Sequence, residues 1–148
     1  MDRRSFVKNT SLTAAAISIL PSTSLFAQKQ KVKLGIIGTG LRGQNHLELL
    51  LLRSDVDVVA ICDINDRMLT DAQDLVKKSG KAMPKIFTGD VNAWKKLVEI
   101  KDLDGVIIAT PWELHAPMII GSLEAGIKYV GTEVILGITL QDHWDVVK

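Results

Sequence analysis

The stretch that decides the fold is VKLGIIGTGLRG, which runs from Val32 to Gly43. Its first half is a continuous apolar run that ends in glycine, as a buried strand of a parallel sheet does. Its second half, GTGLRG, begins at Gly38 and has the spacing G-x-G-x-x-G. Gly38 permits a tight turn out of the strand, Gly40 lets the backbone approach a pyrophosphate, and Gly43 lets a helix pack on the sheet. The alternative is an ordinary glycine turn, but the position between a strand and a helix favours dinucleotide binding.

Strand and helix patterns alternate along the rest of the chain. Buried strands are expected over four further apolar runs: Val56–Asp63, Lys85–Gly89, Gly105–Thr110 and Lys128–Glu133. Helices are expected over five segments: Leu41–Arg53, Asn65–Gly80, Val91–Ile100 after an Asp90 cap, His115–Gly126 and Thr139–Lys148. Strict alternation with short loops indicates an α/β fold with a parallel sheet covered by helices on both faces. The glycine turn selects the doubly wound Rossmann type.

Length and composition limit the other classes of function. With 148 residues and 47% hydrophobic residues, we expect one domain, residues 31–148, with a real core. The net charge of +1 and the 5% aromatic content give no case for a nucleic-acid partner or an anionic membrane surface. The histidines and Cys62 show no metal-ligand spacing, so we expect no metal. The last helical pattern stops at Lys148 after barely two turns, so we expect a truncated sheet in a chain that is the front part of something longer.

Residues 1–27 differ in kind from the rest. A basic start with Arg3 and Arg4 precedes the short apolar stretch LTAAAISIL and a plausible cleavage point after Ala27. Nine residues are too few for a membrane span. The order resembles a twin-arginine signal peptide, which implies export to the periplasm of an already folded protein. The alternative is a disordered basic tail.

Asp63 closes the second expected strand, about 20 residues after Gly43. Its carboxylate can accept hydrogen bonds from ribose hydroxyls and would repel a 2′-phosphate, which favours NAD over NADP. Alternatively, Asp63 begins the cap of the next helix with Asn65 and Asp66, and both roles are compatible. Arg42 is a candidate for contact with the phosphate.

The segment ATPWELH, Ala109–His115, follows the fourth expected strand. Ligands in such sheets lie beyond the carboxyl ends of the strands, so Trp112 and His115 are placed to flank the ribose–nicotinamide half of a dinucleotide. The alternatives are a helix-start histidine bonded to the backbone and a tryptophan that only packs. His46, in the first helix, and His143, expected on a solvent-facing turn, have weaker claims.

These residues resemble a known family. KLGIIGTGLRGQNH, VVAICD, VIIATPWELHAP and YVGTEV are similar to the N-terminal domain of the Gfo/Idh/MocA oxidoreductases, over residues 31–148. GLRGQNHLELLL, TPWELHAPM, VGTEV and TLQDHWDVV look most like its NAD-dependent glycosidases, glycoside hydrolase family 109. The resemblance implies a second, mostly β-sheet domain that supplies much of the substrate site and is absent here. It also leaves open a homo-oligomer of the full-length protein.

The end of the fifth strand carries the finer resemblance. Ordinary dehydrogenases of the superfamily have Glu-Lys-Pro there, and the lysine helps catalysis. This chain has Glu133, Val134 and Ile135, and the glycosidase branch also has Glu-Val. Glu133 would then orient ribose or substrate and Val134 would pack near the nicotinamide ring. Ile135–Gly137 departs from the small or proline residues expected even in the glycosidase branch.

The resemblance implies a redox-neutral reaction on N-acetylhexosaminides. The sugar is oxidised at C3 by bound NAD, its C2 proton becomes acidic, the leaving group is eliminated, water adds and the hydride returns. The catalytic groups should lie beyond Lys148, so none is assigned in this chain. The residues expected to bind NAD are Gly38, Gly40, Leu41, Arg42, Gly43, Asp63, Trp112, Glu113, Leu114, His115, Glu133 and Val134.

Export supplies a separate physical argument for redox neutrality, because little free NAD is available for exchange outside the cytoplasm. Net NADH production would stall there after one turnover, whereas a cycle on a tightly held cofactor would continue. Two alternatives stay open: an exported sugar or polyol dehydrogenase with net hydride transfer, and a nucleotide-binding fragment without activity. We expect this chain alone to be inactive.

Overall fold

The structure, a computed structural model, describes residues 30–148, so the expected signal peptide lies outside the described residues. Within them, five strands form one parallel sheet in the order β3-β2-β1-β4-β5. The strands are β1 (Val32–Ile37), β2 (Val56–Cys62), β3 (Lys85–Phe87), β4 (Gly105–Ile108) and β5 (Tyr129–Thr132). The helices are α1 (Leu41–Leu51), α2 (Asp66–Ser79), α3 (Ala93–Val98), α4 (His115–Glu124) and α5 (Leu140–Val147). One turn of 3₁₀ helix, Trp112–Leu114, precedes α4.

The sheet is covered on both faces, as a doubly wound fold requires. On one face, Ile36 and Ile61 pack with Leu47 of α1 and Leu69 of α2. On the other face, Ile37 and Ile108 of the sheet share a core cluster with Trp94 of α3 and Met118 of α4. Adjacent residues of β1 point to opposite faces because the side-chain period of a strand is two. The Rossmann-type α/β prediction is confirmed.

The strand order places the site. The chain adds β2 and β3 on one side of β1, then crosses to add β4 and β5 on the other side. The direction of winding therefore reverses between β1 and β4. A crevice opens at such a switch point, outside the carboxyl ends of the strands. The Ala109 amide donates to the carbonyl of Ile37 across this point (2.8 Å), which holds the two strand ends together.

The ends of α2 and α5 follow the local sequence. The Asn65 side chain accepts from the amides of Arg67 and Met68 at the start of α2, and Gly80 ends α2 with a positive φ of 72°. Thr139 and Asp142 form a reciprocal capping box at the start of α5. Polar caps of this kind satisfy amides that have no partner within the helix.

The start of α3 differs from the prediction. Asp90 was expected to cap a helix beginning at Val91, but α3 begins at Ala93. The Asp90 carboxylate instead accepts from the amide of Asn92 (2.5 Å), which forms a turn ahead of the helix. Val91, expected as the first residue of this helix, is 54% exposed because it belongs to that turn.

Candidate functional site

The glycine turn between β1 and α1 leaves no room for side chains at two of its three glycines. Gly38 has a φ of 90°, and a Cβ there would lie 2.7 Å from the carbonyl oxygen of Ala109. A Cβ at Gly43 would lie 1.9 Å from the carbonyl oxygen of Gly38. Gly43 thus lets α1 press directly against the turn, as the spacing predicted.

Gly40 plays a different part. It caps the N-terminus of α1 through its backbone, and a Cβ there would meet no heavy atom within 4 Å. The lack of a side chain leaves open space beside the first amides of the helix. Those amides and the helix dipole attract negative charge.

A cleft of about 340 Å³ opens next to this turn, at the switch point between β1 and β4. Four of the predicted site residues line it: Gly38, Gly40, Asp63 and Leu114. Its other walls include apolar and polar residues from three loops and three helices, such as Ile64, Asn65, Met68, Asp90, Trp94, Thr110, Pro111 and Met118. The mixture of an apolar wall with a few convergent polar groups is typical of cofactor sites.

Asp63 joins the glycine turn to the end of β2. Its Oδ2 accepts from the amide of Thr39 (2.6 Å) and from the Thr39 hydroxyl (3.2 Å). Its Oδ1 accepts from the amide of Asn65 (2.8 Å), the residue that caps α2. A carboxylate has about four lone-pair positions, so Asp63 keeps capacity for a ribose hydroxyl. The cap and the ribose roles weighed from the sequence are therefore compatible.

Glu133 is held by two residues of α1. Its Oε2 accepts from the guanidinium of Arg42 (2.9 Å), and its Oε1 accepts from Nε2 of His46. The Glu133 amide donates to the carbonyl of Ile108 (3.2 Å), which keeps the residue at the carboxyl edge of the sheet. The Glu133 side chain is 16% exposed, against 66% for Arg42. The hydrogen bond from Arg42, and then that from His46, holds the pKa of Glu133 below its ordinary value.

His46 is the member of this cluster that sequence reasoning missed. It was given only a weak claim because it lies within a helix. The available signal was its spacing: His46 follows Arg42 by one helical turn, so both side chains project from the same side of α1. The sequence could not show that this side faces the end of β5, since that contact spans distant parts of the chain.

His115 is fully buried and does not line the cleft. Its Nε2 lies 2.9 Å from the carbonyl oxygen of Thr110, and its Nδ1 lies 2.6 Å from the carbonyl oxygen of Ile135. The Thr132 hydroxyl is 2.9 Å from the same Nδ1. The ring thus connects the segment after β4 with the segment after β5, which matches the backbone-bonding alternative. Contact between His115 and a cofactor stays a prediction.

The remaining predicted residues lie at the surface around the site. Leu41, the first residue of α1, is 81% exposed, and Trp112 is 57% exposed in the 3₁₀ turn. Glu113 and Val134 are also exposed. The structure places none of the four among the residues that line the cleft. Their contact with a ligand stays a prediction.

Two positions of the segment Ile135–Gly137 make defined local contacts. The Ile135 carbonyl faces the buried ring of His115. A Cβ at Gly137 would lie 2.4 Å from Cβ of Asp142, the capping residue of α5. Glycine is therefore required where the chain passes this cap.

Cys62 is a buried thiol outside the contacts described above. Burial raises the pKa of the Cys62 thiol to about 12, in a strand of the core. In residues 30–148, histidine, cysteine and acidic side chains form no group that could hold a metal ion. The same part of the chain has no helix long and apolar enough to cross a membrane.

The comparison with protein families decides the class. Residues 32–141 match the model of the Gfo/Idh/MocA oxidoreductase family, NAD-binding Rossmann fold. The chain belongs to this family. The resemblance seen in the sequence is confirmed, and NAD is the cofactor of the domain.

Curated relatives carry a more specific name. A glycosyl hydrolase family 109 protein of Stenotrophomonas maltophilia (strain K279a) is 54% identical over 150 residues, which cover 100% of this chain and 33% of the relative. An alpha-N-acetylgalactosaminidase of Shewanella oneidensis is 35% identical, over 94% of this chain and 32% of its own. An alpha-N-acetylgalactosaminidase of Tannerella forsythia is 38% identical, over 78% of this chain and 25% of its own. The chain thus spans about a third or less of the length of these relatives.

Solved structures agree on the fold. The myo-inositol dehydrogenase from Lactobacillus casei, in complex with NAD(H) and myo-inositol, has a TM-score of 0.67 and 26% identity. The match covers 80% of this chain and 32% of the dehydrogenase. The apo scyllo-inositol dehydrogenase from the same organism has a TM-score of 0.67 at 22% identity, with the same coverage of both chains.

The geometry fits NAD. The open space at Gly40 lies at the N-terminus of α1, where a pyrophosphate binds in this fold. Asp63 stands at the end of β2, where a carboxylate takes ribose hydroxyls. The cleft of about 340 Å³ lies between these groups and the loop after β4.

Proposed function

We propose that the full-length protein is an NAD-dependent glycosidase with a redox-neutral cycle, acting on N-acetylhexosaminides. The described chain is its NAD-binding domain, and the substrate is a small carbohydrate. The names of the relatives from Stenotrophomonas, Shewanella and Tannerella support this class. The catalytic acid–base groups belong, in this proposal, to the part of the protein beyond Lys148.

One observation carries the proposal: Val134 follows Glu133. The carboxylate of Glu133, at the end of β5, is bound by Arg42 and His46. The next residue, Val134, has no side-chain group that could transfer a proton. Oxidation of an alcohol by NAD needs a group near the alcohol that accepts the hydroxyl proton, in a dehydrogenase and in a redox-neutral cycle alike. Lysine would serve that purpose in the ordinary members of the family, and this position lacks it. The absence favours a reaction whose proton transfers use other groups.

The residues of this chain bind and orient. When bound, NAD supplies a reversible acceptor for a hydride from the sugar. Gly40 admits the pyrophosphate, Asp63 takes the ribose hydroxyls, and Glu133 orients the distal ribose or the substrate. Val134 presents an apolar side chain to the nicotinamide ring.

The test is an assay of full-length protein on an aryl alpha-N-acetylgalactosaminide, with and without added NAD. Release of the aryl alcohol over many turnovers, without accumulation of NADH, is expected. Accumulation of NADH in proportion to sugar consumed would contradict the proposal. The inositol dehydrogenases among the solved structures make that outcome the second candidate: a sugar or polyol dehydrogenase.

We also propose that the protein is exported to the periplasm by the twin-arginine route. The support is the order of basic, apolar and cleavage regions in residues 1–27, with Arg3 and Arg4 at the start. Cell fractionation tests this. Periplasmic protein for the wild type, and cytoplasmic retention for the variant Arg3→Lys/Arg4→Lys, are expected. Equal distribution of both would contradict it.

A further inference from the structure

We infer that His46 is a positioning residue for the distal half of the cofactor, acting through Glu133. His46 donates from Nε2 to one carboxylate oxygen of Glu133, while Arg42 donates to the other (2.9 Å). Glu133 is thereby bound on both oxygens by residues from a different element.

The carboxylate of Glu133 is more buried than either of its two partners. The Glu133 side chain is 16% exposed, whereas that of His46 is 33% exposed and that of Arg42 is 66% exposed. A partly buried carboxylate is stabilised by hydrogen-bond partners, because leaving it unpaired costs free energy. His46 is the more buried of its two partners and is therefore the better fixed.

Arg42 lies where both Glu133 and the pyrophosphate of a bound cofactor attract its positive charge. Arg42 is in the first turn of α1, and the N-terminus of this helix is the pyrophosphate site of the fold. A guanidinium binds phosphate oxygens well, so the cofactor draws on the same cation that holds Glu133. His46 lies one turn further along α1 and is not in that first turn. It keeps Glu133 in place whichever anion Arg42 binds.

Glu133 lies at the carboxyl edge of the sheet, on the β4–β5 side of the switch point. It follows β5, and its amide bonds to the carbonyl of Ile108 at the end of β4. This is the side of the switch point that receives the ribose–nicotinamide half, opposite to Asp63 at the end of β2. Fixing the rotamer of Glu133 before binding lowers the entropy cost of holding that half.

The experiment compares two ligands on full-length protein, NAD and ADP, by calorimetric titration. ADP has the adenosine and pyrophosphate but lacks the distal ribose. His46→Phe keeps a ring of similar size without a donor, and His46→Gln keeps an amide donor. His143→Phe, at an exposed histidine of α5, is the matched control.

His46→Phe should weaken NAD roughly three- to tenfold and leave ADP binding within about twofold, since one charge-assisted hydrogen bond is removed. His46→Gln should recover most of the loss, and the His143→Phe control should bind like wild type. In a double-mutant cycle, His46→Phe and Glu133→Gln should be non-additive for NAD. Equal losses for NAD and ADP, or full additivity, would overturn the inference. Absence of NAD binding by wild type would instead overturn the cofactor assignment.

Discussion

The amide of Thr39 donates a 2.6 Å hydrogen bond to the carboxylate of Asp63, and this contact joins the glycine turn after β1 to the end of β2. Thr39 is fully buried, so its amide has no access to water. The same carboxylate that is expected to bind ribose therefore also shapes the turn that receives the pyrophosphate. The two parts of the cofactor site are coupled through one side chain.

Asp63→Asn should lower both stability and NAD affinity. The amide group keeps one acceptor oxygen but replaces the other with a donor, which opposes the donors of Thr39 and Asn65. We expect a loss of about 1–2 kcal/mol in the free energy of unfolding. NAD affinity should fall about tenfold.

Denaturant unfolding and calorimetric titration measure the two effects. Asp74→Asn, at an exposed carboxylate of α2, is the control and should change neither. An Asp63→Asn protein with wild-type stability and affinity would show that the Thr39 contact and the ribose role are both unimportant.

Gly43→Ala and Gly40→Ala should separate folding from binding. A methyl group at Gly43 would lie 1.9 Å from the Gly38 carbonyl oxygen, so the backbone must shift, and we expect a loss of about 1–3 kcal/mol of stability. A methyl group at Gly40 meets no protein atom within 4 Å and should leave stability nearly unchanged. It occupies the approach of the pyrophosphate, so NAD affinity should fall at least about tenfold.

Thermal unfolding, with and without NAD, measures both variants. The reverse pattern, in which Gly40→Ala unfolds early and Gly43→Ala does not, contradicts the assigned roles of the two glycines.

The contacts of Glu133 with Arg42 and His46 should make the stability of the fold sensitive to acid. The hydrogen bond from Arg42 holds the pKa of Glu133 below its ordinary value in the folded state. A carboxylate with a depressed folded pKa stabilises the fold above its unfolded pKa, about 4.3, and this contribution disappears as the pH falls through the folded value. The stability difference between wild type and Glu133→Gln should therefore be largest near neutral pH. Unfolding curves at steps from neutral pH to about pH 3 test this. A difference that grows on acidification contradicts it.

Cys62 should be unreactive in the folded protein. It is the only cysteine of the chain, it is buried in β2, and its thiol pKa is raised to about 12. Almost no thiolate is present at neutral pH, and thiolate is the reacting form. Mass spectrometry after treatment with iodoacetamide should show no label on the folded protein and complete label in denaturant. Rapid labelling of the folded protein would place the thiol in a different environment.

The sequence predicted the fold because each signal was local. The apolar runs of the five strands, the glycine spacing and caps such as Asn65 and Thr139 all lie within a few neighbouring residues. The predicted start of α3 was wrong. The Asp90 carboxylate binds the amide of Asn92 and forms a turn ahead of the helix. In a sequence, an aspartate that forms such a turn looks the same as an aspartate that caps a helix.

The site was harder to predict because its contacts join distant segments. Asp63 and the glycines were found by spacing, yet the bond between Asp63 and Thr39 was not. His46 contacts Glu133 only once α1 has packed on the sheet, and no local sequence pattern predicts that contact. The buried ring of His115 illustrates the opposite case: a polar residue after a strand can serve the backbone.

In the function that we propose, the full-length protein cleaves its glycoside through transient oxidation of the sugar on bound NAD. The most direct measurement is hydrolysis in deuterium oxide, with the released sugar examined by nuclear magnetic resonance. We predict that the released sugar carries deuterium at C2, because the C2 proton is removed and replaced from solvent. We also predict that NADH does not accumulate. A released sugar that keeps its hydrogen at C2 would contradict the claim, and so would NADH that accumulates with the product.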